Sequence, residues 1–345
     1  MTNKNTSVLI IYTGGTIGMF QNPETGTLTP FNFFEIIDQM PELKRLGYQI
    51  STMAFDPPID SANVDPEFWV RLVTIIEENY NKHDGFVILH GTDTMAFSAS
   101  ALSFMLEDLQ KPIIFTGAQL PMGVLRTDGR ENIATSIEFA AAKRNDVPLV
   151  PEVCIYFESK LHRGNRTTKY SAEHFNAFRS TNYSPLAEVG IHIKFNFASI
   201  RYPTAIRPLK VYKKIDNNIA ILKIFPGMNP GMVDGILNIP GLKALVLETF
   251  GSGNAPNKSW FINKIKNTVQ KGLIVLNVSQ CFGGSVEMGK YQTSLELLNS
   301  GVLSGYDSTT EAAVTKLMFL LGQNLTKDKI LDALNKSIRG EITMN

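Results

Sequence analysis

The feature that most constrains the fold is an alternation of short, continuously apolar runs with longer segments of helical spacing. Ser7–Tyr12, Phe86–Leu89, Ile113–Phe115 and Val153–Phe157 are runs of β-branched, aliphatic and aromatic residues near Gly or Pro. Between them, Pro66–Asn79, Met95–Leu106 and Arg130–Lys143 repeat apolar residues at helical intervals among good helix formers. Strands that are apolar on both sides need cover on both faces, which points to a mostly parallel sheet flanked by helices. The pattern breaks between Phe195 and Lys214, around Pro203 and Pro208. It resumes with strands at Ile219–Ile224, Ala244–Thr249 and Leu273–Val278 and helices at Ser259–Gln270, Gln292–Leu298, Thr310–Leu321 and Thr326–Ser337. The expectation is a two-domain α/β protein: a larger N-terminal domain over 1–194, a linker over 195–214, and a smaller C-terminal α/β domain over 215–345.

A chain of 345 residues suits two hydrophobic cores better than one, and 43% apolar with 19% charged residues supplies them. The net charge of +1 comes from 33 basic and 32 acidic residues spread along the chain, without a basic block interleaved with aromatics. A nucleic-acid surface is therefore not indicated. The first apolar run is too short for a secretory core, and no uninterrupted apolar stretch reaches the ~18 residues of a membrane span. Cys154 and Cys281 are too few for a disulfide framework, so a reducing, cytoplasmic setting is expected.

In open parallel sheets, ligands bind beyond the carboxyl ends of the strands, which gives weight to motifs placed there. Tyr12-Thr13-Gly14-Gly15-Thr16-Ile17-Gly18 follows the first strand. Its glycines allow close backbone approach and present the Thr16 hydroxyl, although a plain turn is an equal reading of the spacing. It is neither G-x-G-x-x-G nor a P-loop, so nucleotide binding has little support. His90-Gly91-Thr92-Asp93-Thr94 follows the next strand; taken alone, Asp93 or Thr94 reads best as a helix N-cap. Arg163-Gly164-Asn165-Arg166-Thr167-Thr168-Lys169 carries three cations in a stretch that would ordinarily be a solvated loop, unless the lysine is held beside a hydroxyl and activates it. Asp60-Ser61 offers a further carboxylate and hydroxyl. Five histidines without an H-E-x-x-H or a Cys/His cluster give no metal site, and no G-x-S-x-G elbow is present.

Together these segments resemble the L-asparaginase family, and its type I, cytoplasmic branch in particular. Tyr12–Met19, Gly85–Ala96, Arg163–Lys169, Gly253-Asn254-Ala255-Pro256 and Tyr306–Ala313 carry the resemblance, in one order over nearly the whole chain. It implies hydrolysis of L-asparagine without a cofactor, with Thr16 as nucleophile on a closing loop. Thr92, Asp93 and Lys169 would form a second catalytic cluster, with Thr92 polarised by the ammonium. Asp60 and Ser61, with Thr92 and Asp93, would bind the substrate's α-amino and α-carboxylate groups. Homodimers or homotetramers with shared sites, weaker glutaminase activity and a cytoplasmic location are also implied.

Two departures stand out. Many members carry a lid tyrosine after the first threonine, whereas Met19–Pro30 has none. Some bacterial type I members bind asparagine at an effector pocket near the segment matched by Asn277–Cys281, using an arginine where this chain has Glu248. The alternatives are a glutaminase-asparaginase of broader specificity, the amide-cleaving subunit of a tRNA amidotransferase (which usually has an additional N-terminal domain), and a non-catalytic amino-acid-binding protein on the same fold.

Overall fold

The computed structural model describes residues 6–21, 28–30 and 40–344. Most of the lid segment after Met19, at 22–27, lies outside them. The chain divides into two units, Met1–Lys213 and Lys214–Asn345. The expected linker therefore belongs to the first unit as far as Lys213. The reason is pairing: Ile193–Phe195 closes a sheet edge, and Lys210–Val211 pairs with Leu106–Glu107.

The first unit is built on β1 (Ser7–Tyr12), β2 (Gln49–Ala54), β3 (Gly85–Leu89), β4 (Ile113–Thr116), β5 (Val153–Phe157), β6 (Lys160–Arg163), β7 (Ala187–Val189) and β8 (Ile193–Phe195). They form one eight-stranded sheet in the order β8-β7-β6-β5-β4-β3-β1-β2. The five strands from β5 to β2 are parallel, and the three at the other edge antiparallel. The reversal comes at Glu158-Ser159, a two-residue connection with both φ positive (42° and 66°), the geometry that joins antiparallel strands tightly.

Because side chains alternate along a strand, Val8, Ile10, Tyr12, Val87, Leu89, Ile114 and Tyr156 share one face. They pack with Ile133, Ile137 and Phe139 of the helix Gly129–Ala141. The opposite face carries helices α1 (Pro66–Asn79) and α2 (Met95–Met105), and its Phe115 lies edge-on to His90. Asp65 caps α1 by accepting the Phe68 N–H at 2.8 Å, and Pro66 starts it where no N–H is needed. Phe68, Trp69, Leu72, Val73 and Ile76 then form its buried stripe. α2 is buried almost all round, which suits its run of Ala, Ser, Met and Phe.

The second unit has a four-stranded parallel sheet, Ile219–Lys223, Ala244–Thr249, Ile274–Ser279 and Leu303–Ser304, neighbouring in that order. Its core joins Leu222, Leu245, Leu247 and Val275 to Phe261 and Ile265 of the helix Ser259–Gln270. Thr309 caps the helix Thr310–Gly322 by accepting the Ala312 N–H at 3.1 Å.

Candidate active site

The parallel strands run in the order 2-1-3-4-5, so the chain leaves β1 for one side of the sheet and later returns to the other. The gap at the β1 and β3 carboxyl ends is the reversal point at which such sheets bind ligands. The loops there are tied to the sheet and to one another. Thr13 N–H donates to the Leu89 carbonyl (2.9 Å), Ile59 N–H to Thr13 (2.8 Å), and His90 N–H to Thr116 (2.9 Å).

Glycine is what lets these loops nest. Gly14 has φ 136°, and a Cβ there would sit 2.0 Å from the Ile59 carbonyl oxygen. A Cβ on Gly15 (φ 87°) would fall 2.4 Å from the Gly91 Cα, and one on Gly91 would fall 2.5 Å from the Ser61 Oγ. At Gly14 and Gly15 no larger residue fits without displacing backbone, and at Gly91 one would displace the Ser61 side chain. They bring the Thr16 turn, the Asp60-Ser61 loop and the Thr92-Asp93 loop together. Thr16 is half-buried at the start of a single 3-10 turn, Thr16–Gly18. Asp60 is exposed and accepts the Ala62 N–H at 3.0 Å, whereas Ser61 is buried.

Lys169 arrives from a segment 77 positions beyond Thr92. Its Nζ lies 2.9 Å from Thr92 Oγ1 and 2.7 Å from Asp93 Oδ1. Asp93 is therefore engaged by a cation and is not a helix cap. Thr94 occupies the cap position without a capping bond, and its hydroxyl donates instead to the Ser61 carbonyl at 2.7 Å. Nor is the 163–169 stretch a solvated loop. Arg163 and Arg166 are only 4% and 3% exposed. Arg163 forks onto Glu152 at 2.5 and 3.0 Å, and its guanidinium lies 4.5 Å from the Tyr183 ring centroid.

Three further residues lie around this cluster. Gln119, beyond β4, accepts the Thr92 hydroxyl at 3.2 Å through Oε1. Nothing in a lone glutamine after a strand signals this role; it depends on where the loop folds. Tyr12 ends β1 beneath the Thr16 turn, and a Cβ on Gly18 would overlap its phenol at 2.1 Å. Burial pushes the Tyr12 hydroxyl up to about 12, so it stays protonated at neutral pH. His90 is buried below the Thr92 loop. Its Nδ1 faces the Gly91 carbonyl at 2.6 Å and must carry the proton, leaving Nε2 to accept from Ser98 at 2.9 Å. Burial brings its pKa down to about 4, against a weaker opposing pull from that carbonyl. His90 is thus a neutral strut of the loop.

Such an arrangement presents hydroxyls, a carboxylate and an ammonium on loops at one strand-end crevice, a constellation suited to attack on a polarised carbonyl. The family described as "Asparaginase, N-terminal" matches residues 7–201, and "Glutaminase/Asparaginase C-terminal domain" matches 218–334. The chain belongs to the asparaginase family. It is 41% identical over 339 residues to L-asparaginase 1 of Escherichia coli, covering 98% of each chain. The solved structure of L-asparaginase I from Vibrio cholerae superposes with a TM-score of 0.89 at 38% identity, covering 99% of this chain and 100% of the other. The mouse 60 kDa lysophospholipase is 37% identical over 98% of this chain, which spans only 62% of that longer protein. The N-terminal family match spans the segments that carry Thr16, Asp60-Ser61, Thr92-Asp93 and Lys169. Among the described residues, no group of three or more His, Cys, Asp or Glu could hold a metal ion. No described helix is long and apolar enough to cross a membrane.

Proposed function

We propose that this protein is an L-asparaginase, hydrolysing L-asparagine to L-aspartate and ammonia. The observation that carries the reading is the Lys169 ammonium held by both Thr92 and Asp93 at the crevice bordered by the Thr16 turn. Thr16 attacks the side-chain amide carbon, and its hydroxyl proton passes to the protein. The oxyanion of the tetrahedral intermediate is met by the Thr92 backbone N–H, a type of contact worth ~2.7–4 kcal/mol per donor. Collapse breaks the C–N bond, the nitrogen leaves as ammonia with a returned proton, and Thr16 holds an aspartyl ester. Water then hydrolyses the ester and restores the hydroxyl. Lys169 and Thr92 move the protons, while Asp60, Ser61 and Asp93 hold the α-amino and α-carboxylate groups.

Glutamine places its amide one methylene further on. A pocket rejects one methylene by ~10–200-fold, so asparagine is preferred and glutamine is cleaved slowly. The type I resemblance further supports a cytoplasmic enzyme working as a homodimer or homotetramer, with the partner's C-terminal domain completing each site. Ammonia release by purified protein, compared with Thr16→Val, tests the nucleophile. We expect the variant to bind asparagine but to retain less than about a thousandth of the wild-type rate. Turnover above that level removes Thr16 from the nucleophile role.

A further inference from the structure

The Gln119 carboxamide has an orientation its neighbours leave no choice about. Two main-chain carbonyls, of His174 at 3.1 Å and Ala172 at 3.4 Å, face one end of it. Carbonyls only accept hydrogen bonds, so that end is the Nε2 amino group and the other is Oε1. Oε1 also only accepts, so Thr92 must give its single hydroxyl proton to it across 3.2 Å. Lys169 can only donate, and its ammonium therefore takes a lone pair of Thr92 Oγ1 at 2.9 Å.

The backbone beneath Gln119 is fixed as firmly. The Asp128 carboxylate accepts the N–H groups of Gln119 and Leu120, each at 3.1 Å. Asn132 donates to the Gly117 carbonyl at 2.9 Å and to Asp128 at 3.2 Å. The side chain thus stands on a clamped turn and links the β4 loop to the loop that follows Lys169.

We propose that Gln119 is a positioning residue for the reaction: it fixes the direction of the Thr92 hydroxyl proton, so that Thr92 receives the Lys169 ammonium in one geometry. The inference rests on the asparaginase reading above and deepens it. A hydroxyl with a free rotor would divide its time among orientations, and only one leaves a lone pair toward Lys169 and the proton toward an acceptor. With Oε1 in place, the Lys169–Thr92–Gln119 chain has a single polarity before substrate arrives. The carboxamide takes no proton in the reaction, because an amide oxygen is too weak a base to accept one.

Two variants separate this role from a merely structural one. Gln119→Leu keeps the bulk and removes both donor and acceptor; kcat should fall about 10–100-fold while KM changes less than about threefold. Gln119→Glu restores the pattern only when protonated, with its carbonyl toward Thr92 and its O–H toward His174. Ionised, it would face two carbonyls and draw Lys169 away from Thr92. Charged or titratable groups around the position are Lys169 and Asp93 beside Thr92, Asp128 beneath the turn, and Glu173 and His174 on the accepting loop. The ratio of Gln119→Glu to wild-type kcat should therefore rise as pH falls toward the carboxyl range, ~4.3 for an unperturbed glutamate. A Gln119→Leu kcat within twofold of wild type, or a Gln119→Glu ratio that does not change with pH, overturns the proposal. If Gln119→Leu fails to fold, the Gln119→Glu ratio alone decides. A wild-type protein that releases no ammonia is a different failure, since it overturns the asparaginase reading and this role with it.

Discussion

Two lysine–carboxylate pairs, one taken from each unit, have nearly the same length. Lys169–Asp93 in the first spans 2.7 Å, with the side chains 18% and 64% exposed. Lys316–Glu341 in the second spans 2.6 Å, at 4% and 1%. Distance does not tell them apart; burial and the remaining partners do. Glu341 also accepts the N–H groups of Ile338 (3.0 Å) and Arg339 (2.7 Å), and Lys316 donates to the Lys336 carbonyl at 2.7 Å. That pair is saturated and ties the C-terminal tail to the helix Thr310–Gly322. Burial alone would raise the Glu341 carboxyl, but the Lys316 charge and the main-chain N–H groups hold it below its ordinary value. Lys169 instead shares its ammonium between a carboxylate and a hydroxyl open to a ligand. One pair holds chain in place, and the other is the pair we propose for chemistry.

The comparison is tested most severely at Lys169. Lys169→Met should lower kcat by ~10²–10⁴-fold, the range of acid–base assistance. A half-exposed pair contributes only ~0–1 kcal/mol, so the urea midpoint should scarcely move. A variant that unfolds while the residual native fraction keeps full activity would reverse the assignment.

Glu341 should behave in the opposite way. Glu341→Ala leaves Lys316 buried without its counter-charge, and should cost about 3–5 kcal/mol in urea unfolding. Combining Lys316→Met with Glu341→Leu should recover much of that loss, because removing both charges also removes their desolvation cost. A Glu341→Ala protein as stable as wild type would show that the pair is not structural.

What could be read from the sequence follows the same division. The continuous apolar runs at β1, β3, β4 and β5 and the striped helix Pro66–Asn79 emerge in the structure because buried strands and half-buried helices imprint their periods. Gln49–Ala54 was not legible: it is an edge strand with four of six residues exposed, so its sequence QISTMA carries no apolar run. The antiparallel edge was hidden because Glu158-Ser159 makes its tight turn without the Asn-Gly or Asp-Gly that usually announces one. The helix Pro230–Leu237, PGMVDGIL, was masked by its own glycines, and its Asn229 cap and first-turn Pro230 are the local signs. In the candidate site, the segments carrying Thr16, Asp60-Ser61, Thr92-Asp93 and Lys169 could be found by motif, whereas Gln119 could not. The meeting of Lys169 with Thr92 across 77 positions is a product of the fold. So is the use of Asp93, which as an isolated residue before a helix looks like a cap.

Acid should separate the two units further. All five histidines (His83, His90, His162, His174 and His192) lie in the first. Burial lowers His90 and His162 to about 4 each, so the folded state holds them neutral while the unfolded chain protonates near 6.5. A depressed histidine pKa gives stability that is complete above 6.5, is lost as pH falls toward 4, and changes no further below it. The loss is roughly 3 kcal/mol per histidine at most. In the second unit, Glu341 keeps its charge to below its ordinary 4.5, so its pair survives through this window. Hydrogen exchange between pH 6.5 and 4.5 should therefore expose Val87–Leu89 before Leu245–Leu247. The reverse order would break the contrast.

The smallest effect expected is the absence of cooperativity, and it returns to a strand end in the second unit. The family resemblance places an effector pocket near Asn277–Cys281, with an arginine where this chain has Glu248. Glu248 is 9% exposed, and its carboxylate accepts the Thr310 hydroxyl at 2.8 Å and lies 3.5 Å from the Lys223 ammonium. Gln280 occupies the adjoining carbonyls, donating to Ile224 at 2.7 Å and to Glu248 at 2.8 Å. An amino-acid effector would bring its carboxylate against another carboxylate whose bonds are already made within the unit. Allosteric coupling is worth only ~1–3 kcal/mol. Exchanging a bidentate arginine for a like charge in a buried place costs at least that much. Initial rates against asparagine concentration should be hyperbolic, with a Hill coefficient of about one. A coefficient above about 1.5 in a protein whose oligomeric state stays constant across the titration would mean that this end of the second sheet is as open to a ligand as the first.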